Sequence, residues 1–176
     1  TVLSRGLGDV YKRQTLHAAK KIEKFNSEID YNISILFKSI QSFKEAILSI
    51  DSAINQKPDN QKYQILKADI LIELAKNEDA KELLLNLEPP NKSILFFQRQ
   101  ILFSKIFINQ MEFGLAEKIL LDLRKSFSKE RILYLNLSDL YFKNKALEKG
   151  ILILKEGIKL FPNFIPLRFN LAVMYR

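Results

Sequence analysis

Large apolar residues recur three or four positions apart along most of the chain, which is the spacing that lines one face of a helix. The stretch from Arg131 to Pro162 shows this pattern clearly, because Tyr134, Leu137 and Tyr141 fall on one face of a first helix. A second helix is centred on Leu154 and ends before Pro162. Small residues lie where the two helices would approach closely, namely Ser138, Gly150 and Gly157. The pattern predicts two helices that approach each other closely.

The same order of large and small residues returns about every 34 residues. Repeats begin near residues 27, 61, 97, 131 and 165, so that their spacings are 34, 36, 34 and 34. Each first helix carries one small residue among large ones: Ser34, Ala68, Ser104, Ser138 and Ala172. Each complete second helix carries three apolar or small residues at matching places: Ala46, Ile50, Ala53, Ala80, Leu84, Leu87, Ala116, Leu120, Leu123, Gly150, Leu154 and Gly157.

This order resembles the tetratricopeptide repeat, a helix–turn–helix unit of 34 residues whose second helix is often followed by Pro. The resemblance covers residues 27–176, with residues 15–26 as part of a preceding repeat and the repeat at 165 truncated. It implies an all-α superhelical solenoid of antiparallel helix pairs, in which stacked repeats share one core. Lys67 stands where the family usually has Leu.

Local signals place the ends of the helices. Ser27 and Asp30 resemble a capping pair at the start of the first complete repeat. Turns are predicted at 41–42 and at 76–78, and Pro58, Pro89, Pro90 and Pro162 are predicted to end second helices. Ala53 and Gly157 are predicted to let the following repeat approach closely.

Residues 1–14 are excluded from this interpretation of the fold. Residues 4–14 read SRGLGDVYKRQ, and all eleven codons of a back-translation match a sequencing-library adapter. The native N-terminus is then missing, and the compartment stays open, with the cytoplasm slightly favoured. Without Arg5, Lys12, Arg13 and Asp9, the net charge of +8 becomes about +6.

The composition argues against several kinds of chemistry. The chain has no Cys and one His, His17, so disulfides, zinc–thiolate sites and His-based metal clusters are not expected. No Gly-rich phosphate loop follows a strand, and no Ser or Tyr has a recognisable general base. No run of 18 apolar residues occurs. We expect neither an active site nor a cofactor.

The resemblance implies a binding groove, because first helices line the concave side of such superhelices. The groove faces would carry exposed apolar residues beside charges of both signs, a mixture that suits a peptide or an amphipathic helix. The predicted groove residues are Tyr31, Asn32, Ile35, Ile65, Asp69, Glu73, Ile101, Lys105, Asn109, Leu135, Asn136, Asp139, Phe142, Lys143, Phe169, Asn170 and Val173. For each apolar member, packing against a neighbouring repeat is an equal alternative.

Asn32, Asn136 and Asn170 share one place in their repeats. Members of the family that grip peptides use Asn at similar places, since an amide both donates and accepts hydrogen bonds. The alternative is that each Asn bonds its own fold. The carboxylate clamp of the co-chaperone members is disfavoured, because Lys105 has Asp69 and Asp139 at the equivalent places in the repeats on either side.

These observations predict a scaffold or adaptor that binds a protein or peptide. One alternative is the substrate-recruiting arm of a larger enzyme, of glycosyltransferase or sulfotransferase type. Another is an envelope or secretion assembly factor, which would need a signal peptide or lipid-anchor Cys before Thr15. The basic charge raises nucleic acid as a partner, but Lys and Glu are interleaved and no Arg-rich face occurs. Residues 164–176 are predicted to fray or to mediate self-association.

Overall fold

The computed structural model describes residues 26–175, and all regular structure in that range is helical. The helices are α1 (Ser27–Ser39), α2 (Phe43–Gln56), α3 (Gln61–Glu73), α4 (Asn77–Leu85), α5 (Ile94–Asn109), α6 (Phe113–Phe127), α7 (Arg131–Lys143), α8 (Leu147–Leu160) and α9 (Ile165–Met174). The predicted all-α class is confirmed. The predicted adapter segment and almost all of the predicted partial helix at 15–26 lie outside the described residues.

The described helices belong to two compact units, an N-terminal unit that ends at Leu87 and a C-terminal unit that begins at Glu88. In the N-terminal unit α1 packs on α2, α2 on α3 and α3 on α4, while α1 and α3 also lie side by side. In the C-terminal unit consecutive helices pack in the same way, and the first helices α5, α7 and α9 are neighbours.

The small residues predicted at the helix crossings are buried. Ser34, Ala68, Ser104 and Ser138 on the first helices are fully buried, as are the alanines at the start of the second helices. A Cβ atom built on Gly157 would lie 3.1 Å from Cβ and Cγ of Tyr134. Close approach of helices therefore explains the repeating small positions. Ala172 in α9 is exposed instead.

Each helix pair is joined by the same turn. Gln41, Ala75, Met111 and Lys145 have positive φ of 61°, 59°, 62° and 58°. After each of them, the next backbone N–H bonds to the carbonyl five residues earlier, as in the bond from Ser42 N to Phe37 O at 2.9 Å. This is a Schellman motif, which satisfies the last carbonyls of the first helix and reverses the chain.

The start of α1 differs from the prediction. Asn26 is the capping residue, and its Oδ1 accepts from the backbone of Glu28 at 3.0 Å. Ser27 and Asp30 are buried, so the prediction that they form the cap was wrong. Asp30 instead accepts hydrogen bonds from Ser52 Oγ at 2.6 Å and Gln56 Nε2 at 2.8 Å on α2, because its side chain points into the helix pair.

Two boundaries also differ. The second turn spans residues 74–76 rather than 76–78, because Lys76 N bonds to Leu71 O at 2.9 Å and closes α3 there. Helix α5 begins at Ile94, three residues before the predicted start near 97. Ser93 causes this extra turn, since its Oγ accepts from Phe96 N at 3.0 Å and caps the helix.

Candidate interaction groove on the first helices

In the C-terminal unit, the candidate groove is the surface of α5, α7 and α9 that faces away from the second helices. A hydrogen bond of 3.3 Å from Asn170 Nδ2 to Ser138 Oγ joins α9 to α7 across this surface. Phe142 and Phe169 are 47% and 68% exposed, and Ile132 and Val173 are exposed as well. None of these four side chains belongs to the core cluster of this unit. Four exposed apolar side chains therefore lie on α7 and α9 outside the core.

The equivalent face of the N-terminal unit carries an aromatic stack. Tyr31 is half-buried and its ring lies 5.1 Å from that of Tyr63, while Lys62 Nζ lies 4.2 Å from the Tyr31 centroid. Burial raises the pKa of Tyr31 above its ordinary value. Asn32 and Ile35 are exposed on α1.

Ion pairs cross the face of the N-terminal unit. Asp69 is half-buried and pairs with Lys38, which ties α3 to α1. The hydroxyl of Tyr63 donates to Glu28 Oε2 at 3.0 Å, and this bond is the main reason that the pKa of Glu28 lies below its ordinary value. Asp69, Lys38 and Glu28 are therefore engaged within the fold.

Two apolar residues predicted to line the groove are core residues. Ile65 and Ile101 are only 6% and 5% exposed. Leu135, at the same place in its repeat, is half-buried against the C-terminal core. For these residues the packing alternative holds, whereas Ile35 and Phe142 remain at the surface.

Two of the three asparagines that were predicted to grip a peptide, Asn136 and Asn170, make hydrogen bonds within the fold, whereas Asn32 is exposed. Asn136 Nδ2 donates to Ile132 O, one turn earlier in α7, at 2.8 Å, and Asn170 bonds to Ser138. One N–H of each of these two amides therefore bonds within the fold, as the alternative interpretation stated. Because an amide has two N–H groups and an oxygen acceptor, each side chain keeps further bonding capacity.

The C-terminal face carries an exposed ion pair. Asp139 and Lys143 are both exposed and pair one turn apart on α7, with 3.2 Å between Oδ2 and Nζ. Lys105 is half-buried and Asn109 is exposed, both on α5. Such an exposed pair contributes about 0.2–0.5 kcal/mol to helix stability, so it adds little to the stability of the whole fold.

Behind the groove, polar links that the sequence analysis missed tie α7 to the second helices. Tyr141 donates to Glu117 Oε1 at 2.9 Å, and Lys149 Nζ reaches the same oxygen at 3.1 Å. Burial is the largest cause that raises the pKa of Tyr141 to about 12. The bond from Lys149 is the largest cause that lowers the pKa of Glu117. The spacing of 32 residues between Glu117 and Lys149, near one repeat, was the available signal.

A second such link lies at the other end of α7. Tyr134 donates to the carbonyl of Ser128 at 3.0 Å and lies 3.4 Å from Glu156 Oε1. Arg124 also bonds Glu156 Oε1, at 2.6 Å, and this pair again spans 32 residues. Burial is the main cause that raises the pKa of Tyr134. These links hold α7 in position beneath the exposed face.

One cleft of about 440 Å³ opens between α5 and α6, away from the predicted groove residues. Its apolar wall is formed by Phe96, Ile119, Leu123 and Phe127, and Gln100 and Ser126 lie beside it. The sequence analysis did not anticipate this cleft, because the extra first turn of α5 that carries Phe96 was not predicted.

Two features are absent from residues 26–175. No group of three or more His, Asp or Glu side chains in this range could hold a metal ion. Along the same residues, no helix combines the length and the apolar character needed to cross a bilayer.

No protein-family model and no curated protein sequence matches the chain. Solved structures do match. The pilus biogenesis factor PilW aligns with a TM-score of 0.75 and 15% identity, over 98% of this chain and 80% of PilW. A tetratricopeptide repeat protein from Parabacteroides merdae aligns with a TM-score of 0.66 and 15% identity, over 99% and 81% of the two chains.

YrrB, a tetratricopeptide repeat protein with an unusual peptide-binding site, aligns with a TM-score of 0.55 and 12% identity, over 91% of this chain and 81% of YrrB. At these identities the likeness concerns the fold. The helix pairs, the buried small residues and these alignments agree, and the predicted fold class is confirmed: the chain has the tetratricopeptide-repeat fold.

Proposed function

We propose that the chain is a protein-interaction scaffold that holds a peptide or a helix on the groove face of α7 and α9. The observation that carries this proposal is the exposure of Phe142 and Phe169 together with Ile132 and Val173. Burying such side chains against a partner removes apolar surface from water, which is the main favourable term in most protein–protein association. Contiguous exposed apolar residues are typical of interaction sites.

Two further observations support this choice. Two of the polar groups beside the apolar residues are amides, Asn136 and Asn170, which suit the alternating donors and acceptors of a polypeptide backbone. YrrB, which is similar to this chain in fold, has a peptide-binding site. An extended peptide or an amphipathic helix fits a face of this composition.

The proposal is tested by selecting peptides from a random displayed library on the immobilised chain and measuring their affinities by fluorescence polarisation. We expect the selected peptides to carry large apolar residues. The double variant Phe142→Ser/Phe169→Ser should bind them at least tenfold more weakly. Leu152→Ser is the matched control, because Leu152 is 67% exposed but lies on the second helix α8. Equal binding by the double variant and the parent chain would refute the proposal.

A further inference from the structure

The first helices of the C-terminal unit differ in charge from those of the N-terminal unit. Helices α5, α7 and α9 carry five basic side chains, Arg99, Lys105, Arg131, Lys143 and Arg168, and a single acidic one, Asp139. Helices α1 and α3 carry slightly more acidic than basic side chains. The acidic ones are Glu28, Asp30, Asp69 and Glu73, and the basic ones are Lys38, Lys62 and Lys67. The basic excess therefore lies on the helices that carry the exposed apolar face.

Two of these basic residues, Arg131 and Lys143, lie at the two ends of α7, on either side of its exposed apolar residues. Arg131 is exposed at the start of α7, and its guanidinium lies 4.6 Å from the ring of Phe164. Lys143 and Lys145 are exposed at the other end of α7 and in the turn that follows. The single carboxylate on the face, that of Asp139, is paired with Lys143 at 3.2 Å. A partner on this surface would meet apolar side chains between cationic ends.

We infer that the partner segment is an acidic polypeptide that carries large apolar side chains. This inference rests on the proposed function and names the chemistry of its ligand. Leu, Ile or Phe side chains of the partner would pack on Phe142, Phe169 and Val173. Its Asp or Glu side chains would lie near Arg131 and Lys143, where opposite potentials increase the rate and the specificity of association.

A polypeptide fits these observations better than a nucleic acid. Phe142 and Phe169 offer ring faces to a base, but Ile132 and Val173 on the same helices are aliphatic and offer neither charge to a phosphate nor a ring face. Asp139 would lie beside the phosphates of a bound strand and repel them. Aliphatic side chains of a peptide would bury on the same residues.

The test uses the 176-residue chain and three labelled 16-residue peptides that share Leu and Phe at helical spacing. Their remaining positions are Glu, Gln or Lys. We expect the Glu peptide to bind about tenfold more tightly than the Gln peptide at low salt, and the Lys peptide to bind most weakly. In 0.5 M salt the advantage of the Glu peptide should shrink to about twofold, because the Debye length falls to about 4 Å.

A double variant locates the effect. Arg131→Gln/Lys143→Gln should remove most of the preference for the Glu peptide, while Lys118→Gln/Lys159→Gln, with equal loss of charge on exposed second-helix positions, should retain it. If no peptide binds, the proposed function fails together with the inference. If all three peptides bind equally, the proposed peptide-binding function is supported and the inference of an acidic partner is overturned. An equal effect of both double variants, or tighter binding of a 16-residue oligothymidylate to the same residues, would also overturn it.

Discussion

Replacing Gly157 by alanine tests whether close helix packing in the C-terminal unit requires the small residues of the repeat. Gly157 lies in α8, where the chain passes against both α7 and α9. An added Cβ would lie 3.0 Å from Leu167 Cδ1 and 3.1 Å from Cβ and Cγ of Tyr134. The Tyr134 atoms lie next to the backbone of α7, so they cannot move aside without a shift of that helix.

Two opposing terms set the size of the effect. Alanine in a helix interior is more favourable than glycine by about 1 kcal/mol. Overpacking a tight contact costs about 1–3 kcal/mol. We therefore expect Gly157→Ala to lower the free energy of unfolding by about 0–2 kcal/mol. At Gly114 in α6 no atom lies within 4 Å of the added Cβ, so Gly114→Ala should raise that free energy by about 0.5–1 kcal/mol.

Gly150 provides an intermediate case. Its added Cβ would meet Sδ and Cε of Met174 at 2.6 Å, but these atoms end a flexible side chain that can turn away. Urea unfolding followed by circular dichroism gives the midpoints of the three variants. An unchanged slope of the unfolding free energy against urea concentration shows that each variant exposes the same surface on unfolding. The expected order of stability is Gly114→Ala, then Gly150→Ala, then Gly157→Ala. A Gly157→Ala chain as stable as Gly114→Ala would refute the reasoning.

Other predictions concern the turns, the polar links and the last helix. Ala75 has φ of 59°, so Ala75→Gly should raise the free energy of unfolding by about 0.5–1 kcal/mol. Ala68→Gly in the helix interior should lower it. Urea titrations in which both variants change the free energy of unfolding in the same direction would contradict this. Because the folded pKa of Tyr141 is about 12 against an ordinary 10.0, its contribution to stability is complete below pH 10 and is lost as pH rises toward 12. Tyr141→Phe should make the decline in thermal midpoint over that range shallower, and an unchanged slope would count against the assignment. Amide hydrogen exchange should be faster in α9 than in α7 and α8, since Ala172 is exposed; equally slow exchange in a chain shown to be monomeric would contradict this.

The positions of the helix crossings could be predicted from the sequence, because side-chain volume sets them. Only small side chains fit where helices cross closely, so the positions of Ser104 and Ser138 among large residues were enough to assign them to crossings. The turns lacked such a signal. Met111 and Lys145 adopt positive φ although glycine is the residue that does so readily, because the helices on either side fix the conformation.

Local capping was ambiguous for a related reason. Asn26, Ser27 and Asp30 are all residues that cap helices, and sequence alone could not decide which one lies outside the first turn. The structure assigns the cap to Asn26 because the side chain of Asp30 is turned toward Ser52 and Gln56. The decisive contact is 22 residues distant, beyond the reach of any local pattern.

The candidate groove shows where repeat patterns stop being informative. Tyr31, Ile65, Ile101, Leu135 and Phe169 occupy the same place in successive repeats, yet their exposure runs from nearly buried at Ile101 to 68% at Phe169. The repeat fixes the direction of each side chain, but neighbouring residues decide whether it is covered. Leu135 packs against the C-terminal core, whereas Phe169, at the same place one repeat later, is exposed, as is Phe142 at the end of α7. In the proposed function, a partner binds the groove positions that stay exposed once the core of each unit is complete, and the charges around those positions select the partner.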